Sequence, residues 1–569
     1  MGPEHGSDLV DFVRHPDTLA IISRHDSHYT RFIESNPYLR TGRILSGGYV
    51  ISYIAREHLN KMDGAFTDHA FSTMAITLAL TDRQDLDAAG ISQVQQHPYL
   101  GLRGRGVLLG VVDTGIDYTN DIFRWEDGST RIQYLWDQSL DGTPPPGFPM
   151  GREFTANNID LALDSDQPYA QVPSRDEDGH GTFIASLMGG HLPRNDIGAA
   201  PDADFVVVKL RPCGPFLREQ YLVPDWQPNA YSSADVMLGI DYILERAAAL
   251  GRPVAICLAL GSNLGGQDGF STFEQYLTYV TFRTGVCLCT SAGNESQAAH
   301  HTQGILSAQG DSQAIDIIMD SSEDDLLVSL LNTVADRFSV SVRSPTGEVV
   351  GRIPARNGLV VSAKLVMEHS SVQIEYYYPV PGGGQQTYVK FFDPTPGIWT
   401  IMMHGDLVLN GSYHAYLPIT GMVSPGTRFL APYPYSTIVT PGTAVGIICC
   451  GGYSTRTDAL YIDSSWGPTR TPIIRPDLVA PGMDVGGVFP GGVGTMTGTS
   501  VSAAITAGAG ALMLQWGIVE GGDPYINTQR IRAFLIRGCK RDPGRTYPNE
   551  QWGYGRLDLI STFDRLRET

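Results

Sequence analysis

The chain has 569 residues, with 60 Asp and Glu against 40 Lys and Arg, for a formal charge of -20. That balance excludes a nucleic-acid partner, because a polyanion is repelled and no Lys/Arg-rich run offsets the repulsion. A hydrophobic share of 42% with 18% charged residues excludes a disordered chain, and the length predicts two to four domains at roughly 150 residues each.

The opening segment, MGPEHGSDLVDFVRHPDT, lacks a basic stretch followed by an apolar one, so no conventional signal peptide is expected, and no apolar run is expected to cross a bilayer. Residues 1–96 hold two alternating strand candidates, YVISYIA (49–55) and TMAITLAL (73–80), around a helix candidate, AREHLNKM. They predict a small α+β unit. In RGVLLGVVDTG the apolar run 107–112 predicts a buried parallel strand, so Asp113 falls at its carboxyl end, where open α/β sheets place ligands. Gly115 lets the chain turn away, and Asp117 reads as a brace of that turn.

The acidic cluster Asp164, Asp166, Asp176, Glu177 and Asp178 matches no EF-hand spacing and reads as a solvated loop. Within DGHGT, His180 is framed by Gly179 and Gly181, and the following TFIASLMGG is apolar at helical spacing. The imidazole is therefore expected to project from the first turn of a helix. In TSAGNES, Asn294 follows the strand-like GVCLCTSA at a glycine turn. His191, His300 and His301 have no comparable glycine frame and read as surface or loop residues. Of seven cysteines, Cys257, Cys287, Cys289, Cys449 and Cys450 lie in apolar runs and read as buried hydrophobes in a reducing or cysteine-neutral setting, without metal-ligand spacing.

From about residue 311 to 436 the text changes to short alternating runs separated by Gly, Pro, Asp and Asn, which predicts an inserted all-β sandwich or jelly roll. The GGGQQ word at 382–386 lacks a following Lys-Ser/Thr and reads as a hairpin turn, not a phosphate cradle. Beyond it, Gly498-Thr499-Ser500 precedes a small-residue helix, 501–516. Backbone N–H groups at such a helix start face any oxyanion beside Ser500.

An aspartate, a histidine and a serine in this order fit one chemistry. A serine hydroxyl is a poor nucleophile until a base removes its proton, and the base works only with its ring held in one tautomer. Ser500 is thus the expected nucleophile, His180 the proton shuttle, Asp113 the group that orients it, and the Asn294 carboxamide a donor to the oxyanion. Together with APDAD (200–204), SNLGG (262–266), SSWGPT, RPDLVAPG and WGYGRLD, these words resemble, in kind and order, the landmarks of the subtilisin-like serine proteases (subtilases, peptidase family S8) over about residues 100–560. Two departures stand out. Phe183 occupies a position where many relatives carry a second histidine, and Val501-Ser502 follow Ser500 in place of methionine-alanine.

The resemblance implies an α/β fold: a subtilisin-like parallel sheet flanked by helices, in catalytic parts 97–310 and 437–569, with an N-terminal α+β prodomain (1–96) and the inserted jelly roll or sandwich (311–436). It implies a pocket for the residue before the cut, lined by Asn263, Leu264 and Gly265 and by Ser291, Ala292 and Gly293, with a substrate strand added to that edge. It implies that the prodomain occupies the cleft, with SQVQQHP as the product-like strand and self-cleavage at Gln96-His97. Subtilases often carry a structural calcium ion, but the acidic spacing does not support one, and no cofactor or metal is expected.

The extension, the insertion and the words QVQQ, LRGRGVLLGVVDTGIDY and SNLGG are similar to the Csp proteases of spore-forming clostridia, which activate a cortex-degrading hydrolase during germination. Some paralogues in that branch have lost triad residues and act as regulators. The expected partners are a protein or peptide substrate and the chain's own prodomain, without nucleic acid or membrane. The expected setting is bacterial, spore-associated or released, otherwise cytoplasmic. The alternative to a serine endopeptidase is a non-catalytic scaffold that binds a partner protease or zymogen.

Overall fold

The computed structural model describes residues 7–26, 36–61, 72–74, 77–80, 86–191, 198–321 and 325–567. Eight strands among them form the central sheet: β1 (Leu108–Asp113), β2 (Ile132–Asp137), β3 (Arg152–Thr155), β4 (Asp204–Lys209), β5 (Val254–Leu258), β6 (Val286–Ser291), β7 (Ile448–Tyr453) and β8 (Leu478–Pro481). In space they run β8-β7-β6-β5-β1-β4-β2-β3, parallel except for the β2–β3 edge pair. β1, β5 and β6 are buried at every position, as strands covered on both faces are.

Helices supply that cover: α1 (His180–Gly189) and α3 (Thr499–Leu514) on one face, α2 (Ser233–Leu250) on the other. Alternate residues of β1 divide accordingly, Leu109 and Val111 packing with α1 and α3, Leu108 and Val112 with α2. The run Thr499–Val519 is long and apolar enough to cross a membrane by length and composition, contrary to the expectation that none is. Of its most apolar window 89% is buried inside the fold, where α3 is the core helix against β5 and β6.

Upstream, a helix (Ser7–Arg14) and an antiparallel sheet form an α+β unit, the strands lying in the order Arg40–Leu45, Tyr49–Ala55, Thr18–Arg24, Ser72–Met74. This unit sits on α2 and on the helix Thr272–Val280. Tyr49 meets Tyr276 edge-on at 5.8 Å, and Arg43 and Ser46 both donate to the Asp241 carboxylate. The segment expected as one strand, 73–80, divides: Ser72–Met74 completes this sheet, whereas Thr77–Leu80 pairs antiparallel with both Tyr231–Ser232 and Leu260–Gly261 of the catalytic frame. The expected helix in AREHLNKM is a 3-10 segment, Arg56–Lys61, and Met62 lies outside the described residues.

SQVQQHP, expected as an extended strand in the cleft, is instead the helix Ile91–Gln95. Ile91 and Val94, one turn apart, are buried, and the helix packs against the C-terminal helix Leu559–Arg567. Gln95 Nε2 donates to the carbonyls of Gly198 and Ala199, and Ala199 in turn is bonded to Leu187 near the end of α1. At 1.5 Å per residue that end lies on the order of 10 Å from His180. His97 turns its Nδ1 to the Tyr99 and Leu100 N–H groups, and Gln95, next to the expected Gln96-His97 cut, is tied at the end of α1 away from His180 and not in the cleft.

Between Asn294 and β7 the chain forms two antiparallel sheets. One runs His301–Ile305, Ser412–Tyr416, Asp325–Asn332, Gln385–Phe392, Ser370–Tyr377, Val360–Leu365; the other Val349–Ile353, Arg337–Arg343, Gly397–Leu407, Ser312–Met319, Arg428–Phe429. Their inner faces share one core, with Val328, Val340, Val389 and Ile401 inside it and Trp399 edge-on to Phe391 at 5.2 Å. The first strand opens at His301, ahead of an expected boundary near 311, because it is paired along its length with Ser412–Tyr416. The GGGQQ word lies at the turn between Ser370–Tyr377 and Gln385–Phe392.

Candidate active site

Asp113 ends β1 and is 1% exposed, and a carboxylate so placed requires donors. Its Oδ1 accepts from His180 Nδ1 at 2.8 Å, from the Thr114 N–H at 2.7 Å and from Thr114 Oγ1 at 3.2 Å. With Nδ1 donating to Asp113, the imidazole keeps Nε2 as its basic nitrogen. The start of α1 is fixed as well. Asp176 Oδ1 accepts from the Gly179 N–H and Thr114 Oγ1, and Oδ2 from the Thr182 N–H and Oγ1. These bonds satisfy helix-start donors that have no intrahelical partner.

Asp176 thus differs from the solvated loop residue expected of it, whereas Asp164, Asp166, Glu177 and Asp178 are exposed. Among the described residues no group of three or more His, Cys, Asp or Glu converges as a metal site. Asp117 Oδ1 accepts from the Thr119 N–H and hydroxyl and from Tyr169, bracing the turn after Asp113. A glycine is required after His180, since a Cβ at Gly181 would stand 2.2 Å from the Gly115 carbonyl oxygen.

Ser500 lies in the first turn of α3, fully buried, and its Oγ donates to the Ala259 carbonyl at 3.2 Å. Ala259 follows β5 directly, and β5 pairs with β1 in the register that sets Cys257 opposite Val111. Two residues further on, Ala259 and Asp113 therefore stand side by side at roughly the 5 Å spacing of neighbouring strands. The Asp113–His180 pair and Ser500 are held over the same two strand ends, and α1 packs against α3.

Asn294 follows β6 at the next strand end. Its Oδ1 accepts from the Thr499 N–H at 3.1 Å and from Thr499 Oγ1 at 3.2 Å, while Thr499 Oγ1 accepts from the Gly293 N–H at 3.0 Å. With the oxygen committed, Nδ2 is the end of the carboxamide left to donate, next to the Ser500 N–H at the start of α3. Two donors converging beside a serine are what an oxyanion needs. Thr499 was not singled out by sequence, although it stands in the GTS word itself.

The edge along which an extended peptide lies is Leu260–Gly261, where Thr77–Leu80 is paired, and not Asn263-Leu264-Gly265. Asn263 is buried with Nδ2 on the Leu417 carbonyl, Leu264 belongs to the core, and Gly265 turns the chain away at φ 105°. Ser291 closes β6, and Ala292 bonds to the neighbouring strand through Cys450 and to Val439. Gly293, from the same expected segment, faces Gly261 across a cavity of about 290 Å³ that also takes Asn294, Ile419, Thr420 and Asp463 into its wall.

Glu295 forms one side of this cavity. Its Oε2 accepts from His300 Nδ1 at 2.7 Å and its Oε1 from the Thr420 N–H at 2.9 Å. Burial pushes this carboxyl up, but the His300 ring and the Thr420 donors outweigh it and hold the group below the ordinary carboxylate range. His300 and His301, expected on the surface or in loops, are both buried. His301 stacks on Tyr416 at 4.5 Å, and burial lowers its pKa to about 4. All seven cysteines are free and buried.

The family model described as the Subtilase family matches residues 104–382 and 431–555, leaving out part of the inserted sheets. The structure is similar to that of the Clostridium perfringens CspB protease, with a TM-score of 0.75 and 29% identity, covering 85% of this chain and 97% of that one. Subtilisin-like protease 4 of Arthroderma benhamiae is 35% identical over 103 residues, and Subtilisin-like protease SBT2.2 of Arabidopsis thaliana 35% over 100 residues, or 18% and 16% of this chain. Those alignments span 23% and 11% of the two proteins' own lengths.

Proposed function

The chain belongs to the subtilase family, and from that premise we propose that it is a serine endopeptidase that cuts protein substrates through an acyl-enzyme on Ser500. His180 Nε2 takes the hydroxyl proton as Ser500 Oγ attacks the scissile carbonyl, and Asp113 stabilises the imidazolium that forms. The charge on the carbonyl oxygen is received by Asn294 Nδ2 and the Ser500 N–H. His180 then protonates the leaving amine, and water repeats the sequence on the acyl-enzyme. Every step uses the chain's own groups, and no cofactor is part of the proposal. The observation that carries this reading is the Asp113–His180 hydrogen bond of 2.8 Å, held over the strand ends that also hold Ser500.

The N-terminal α+β unit is proposed as a prodomain bound at the cleft, a role supported by the pairing of Thr77–Leu80 with Leu260–Gly261. Self-cleavage is then proposed between Leu80 and Leu86, in place of Gln96-His97. Similarity to the CspB protease supports the further proposal that the substrate is the zymogen of a spore-cortex hydrolase and that the protein acts in or near the spore.

A fluorophosphonate probe is expected to label the wild type and not Ser500→Ala. Wild type is expected to mature into two fragments, the larger beginning between residues 81 and 86, while Ser500→Ala stays a single full-length chain. Folded wild type that takes no label would refute the endopeptidase and favour the scaffold. A mature terminus at His97 would refute the cleavage position alone.

A further inference from the structure

On the endopeptidase reading, we infer that the cavity beside Ser500 selects a cationic residue, Arg or Lys, before the cut, and that Asp463 determines this specificity. A peptide laid along Leu260–Gly261 turns the side chain next to its scissile bond between Gly261 and Gly293, two positions with no side chain to block the way. The cavity they open onto, about 290 Å³, has the volume of roughly ten waters and admits the longest side chains. Its lining combines the apolar Ile419, Val439 and Ala298 with polar Gln297, Thr420 and Tyr461 and includes the acidic groups Glu295 and Asp463. An aliphatic stem tipped with a cation is complementary to such a surface.

The two carboxylates are not equivalent. Glu295 already accepts from His300, Thr420 and Asn263, which take three of its roughly four acceptor positions. Asp463 is half-buried, and among the described residues its carboxylate meets neither a hydrogen-bond donor nor a cation; its backbone carbonyl alone is used, by the Ser296 N–H. No Lys, Arg or His of the described residues lines the cavity. A cation arriving there gains an unshared partner, an anionic one is repelled by both carboxylates, and the net charge of -20 attracts basic segments from a distance.

The test uses the matured full-length protein, its active sites counted with the fluorophosphonate probe, and peptides identical except for Arg, Lys, Gln, Leu, Phe or Glu before the cut. Arg and Lys are expected to exceed Leu and Phe in kcat/KM by about tenfold or more, with Glu uncut. Hydrogen bonds to charged groups set the scale for Asp463→Asn, which is expected to lower the Arg-to-Leu ratio roughly 10- to 100-fold, while Asp463→Glu restores it. Labelled enzyme that prefers a neutral residue, or a ratio unmoved in Asp463→Asn, overturns the specificity and leaves the endopeptidase standing. Failure of the wild type to label overturns the endopeptidase itself. The wild-type peptide series decides the matter even if the variants do not mature.

Discussion

Replacing Thr499 with valine removes one hydroxyl from behind the oxyanion donor and leaves the side-chain shape intact. Two bonds go with it: the one at 3.2 Å that helps pin Asn294 Oδ1, and the one at 3.0 Å that satisfies the Gly293 N–H. The Thr499 N–H still holds Asn294 at 3.1 Å, so the carboxamide is loosened and not released. In subtilisin, complete removal of the equivalent donor costs about 10² to 10³ in kcat, or 2.7 to 4 kcal/mol. Losing one of two restraints, at about 1 kcal/mol net per hydrogen bond, predicts a fall in kcat of roughly fivefold with KM little changed. The orphaned Gly293 N–H adds a stability cost of about 1 to 3 kcal/mol. Because Thr499 acts through Asn294, the double variant Asn294→Ala/Thr499→Val is expected to be no slower than Asn294→Ala alone. Rates normalised to labelled active sites check this. An undiminished kcat in Thr499→Val, or effects that multiply in the double variant, would refute the role of Thr499.

Gly181→Ala is expected to abolish fluorophosphonate labelling while circular dichroism stays native, since a methyl 2.2 Å from the Gly115 carbonyl oxygen must displace His180 or the β1 turn; full labelling would show that the turn yields freely. Glu274, wholly buried in the capping box of the helix Thr272–Val280, has its carboxyl raised by burial to about 7, against about 4.3 in an unfolded chain. The stability associated with this raised group is fully present below pH ~4.3 and is lost as pH rises through 7, a change on the order of 3 kcal/mol. Glu274→Gln is therefore expected to gain stability relative to wild type between pH 4.5 and 8, read from urea midpoints; a difference that stays constant with pH would exclude this titration.

The residues that carry the chemistry stand in words whose local logic is complete: a buried strand ending in Asp113, a glycine-framed helix start at His180, a small-residue helix opening at Ser500. What the words could not convey is which distant group each one touches. Thr499 reaches Asn294 across 205 positions, and Glu295 is held by Thr420 across 125, contacts that no spacing rule anticipates. Ile91–Gln95 escaped for a different reason. As the polar end of the expected prodomain it reads as a strand lying in the cleft, while the helical signal, Ile91 and Val94 at i, i+3, is too short to count without the C-terminal helix it packs on. The pocket edge was displaced because SNLGG is rich in the expected residue types, whereas geometry is counted from the end of β5 at Leu258, which puts the edge at Leu260–Gly261.

The long separation of Asn294 from Ser500 is harmless to the chemistry for a reason the topology supplies. The inserted sheets begin and end as neighbours: His301–Ile305 pairs with Ser412–Tyr416, and the Leu417 N–H donates to the His300 carbonyl. To the catalytic frame, the whole insertion is equivalent to a hairpin whose ends are already closed, and closure entropy grows only with the logarithm of length. The same junction carries the Glu295–His300 pair and the Thr420 N–H that meets it, so the place where the insertion joins the frame is also a wall of the pocket beside Ser500. Catalysis depends on the gap between Asn294 and Thr499 being closed, not on how much chain it contains.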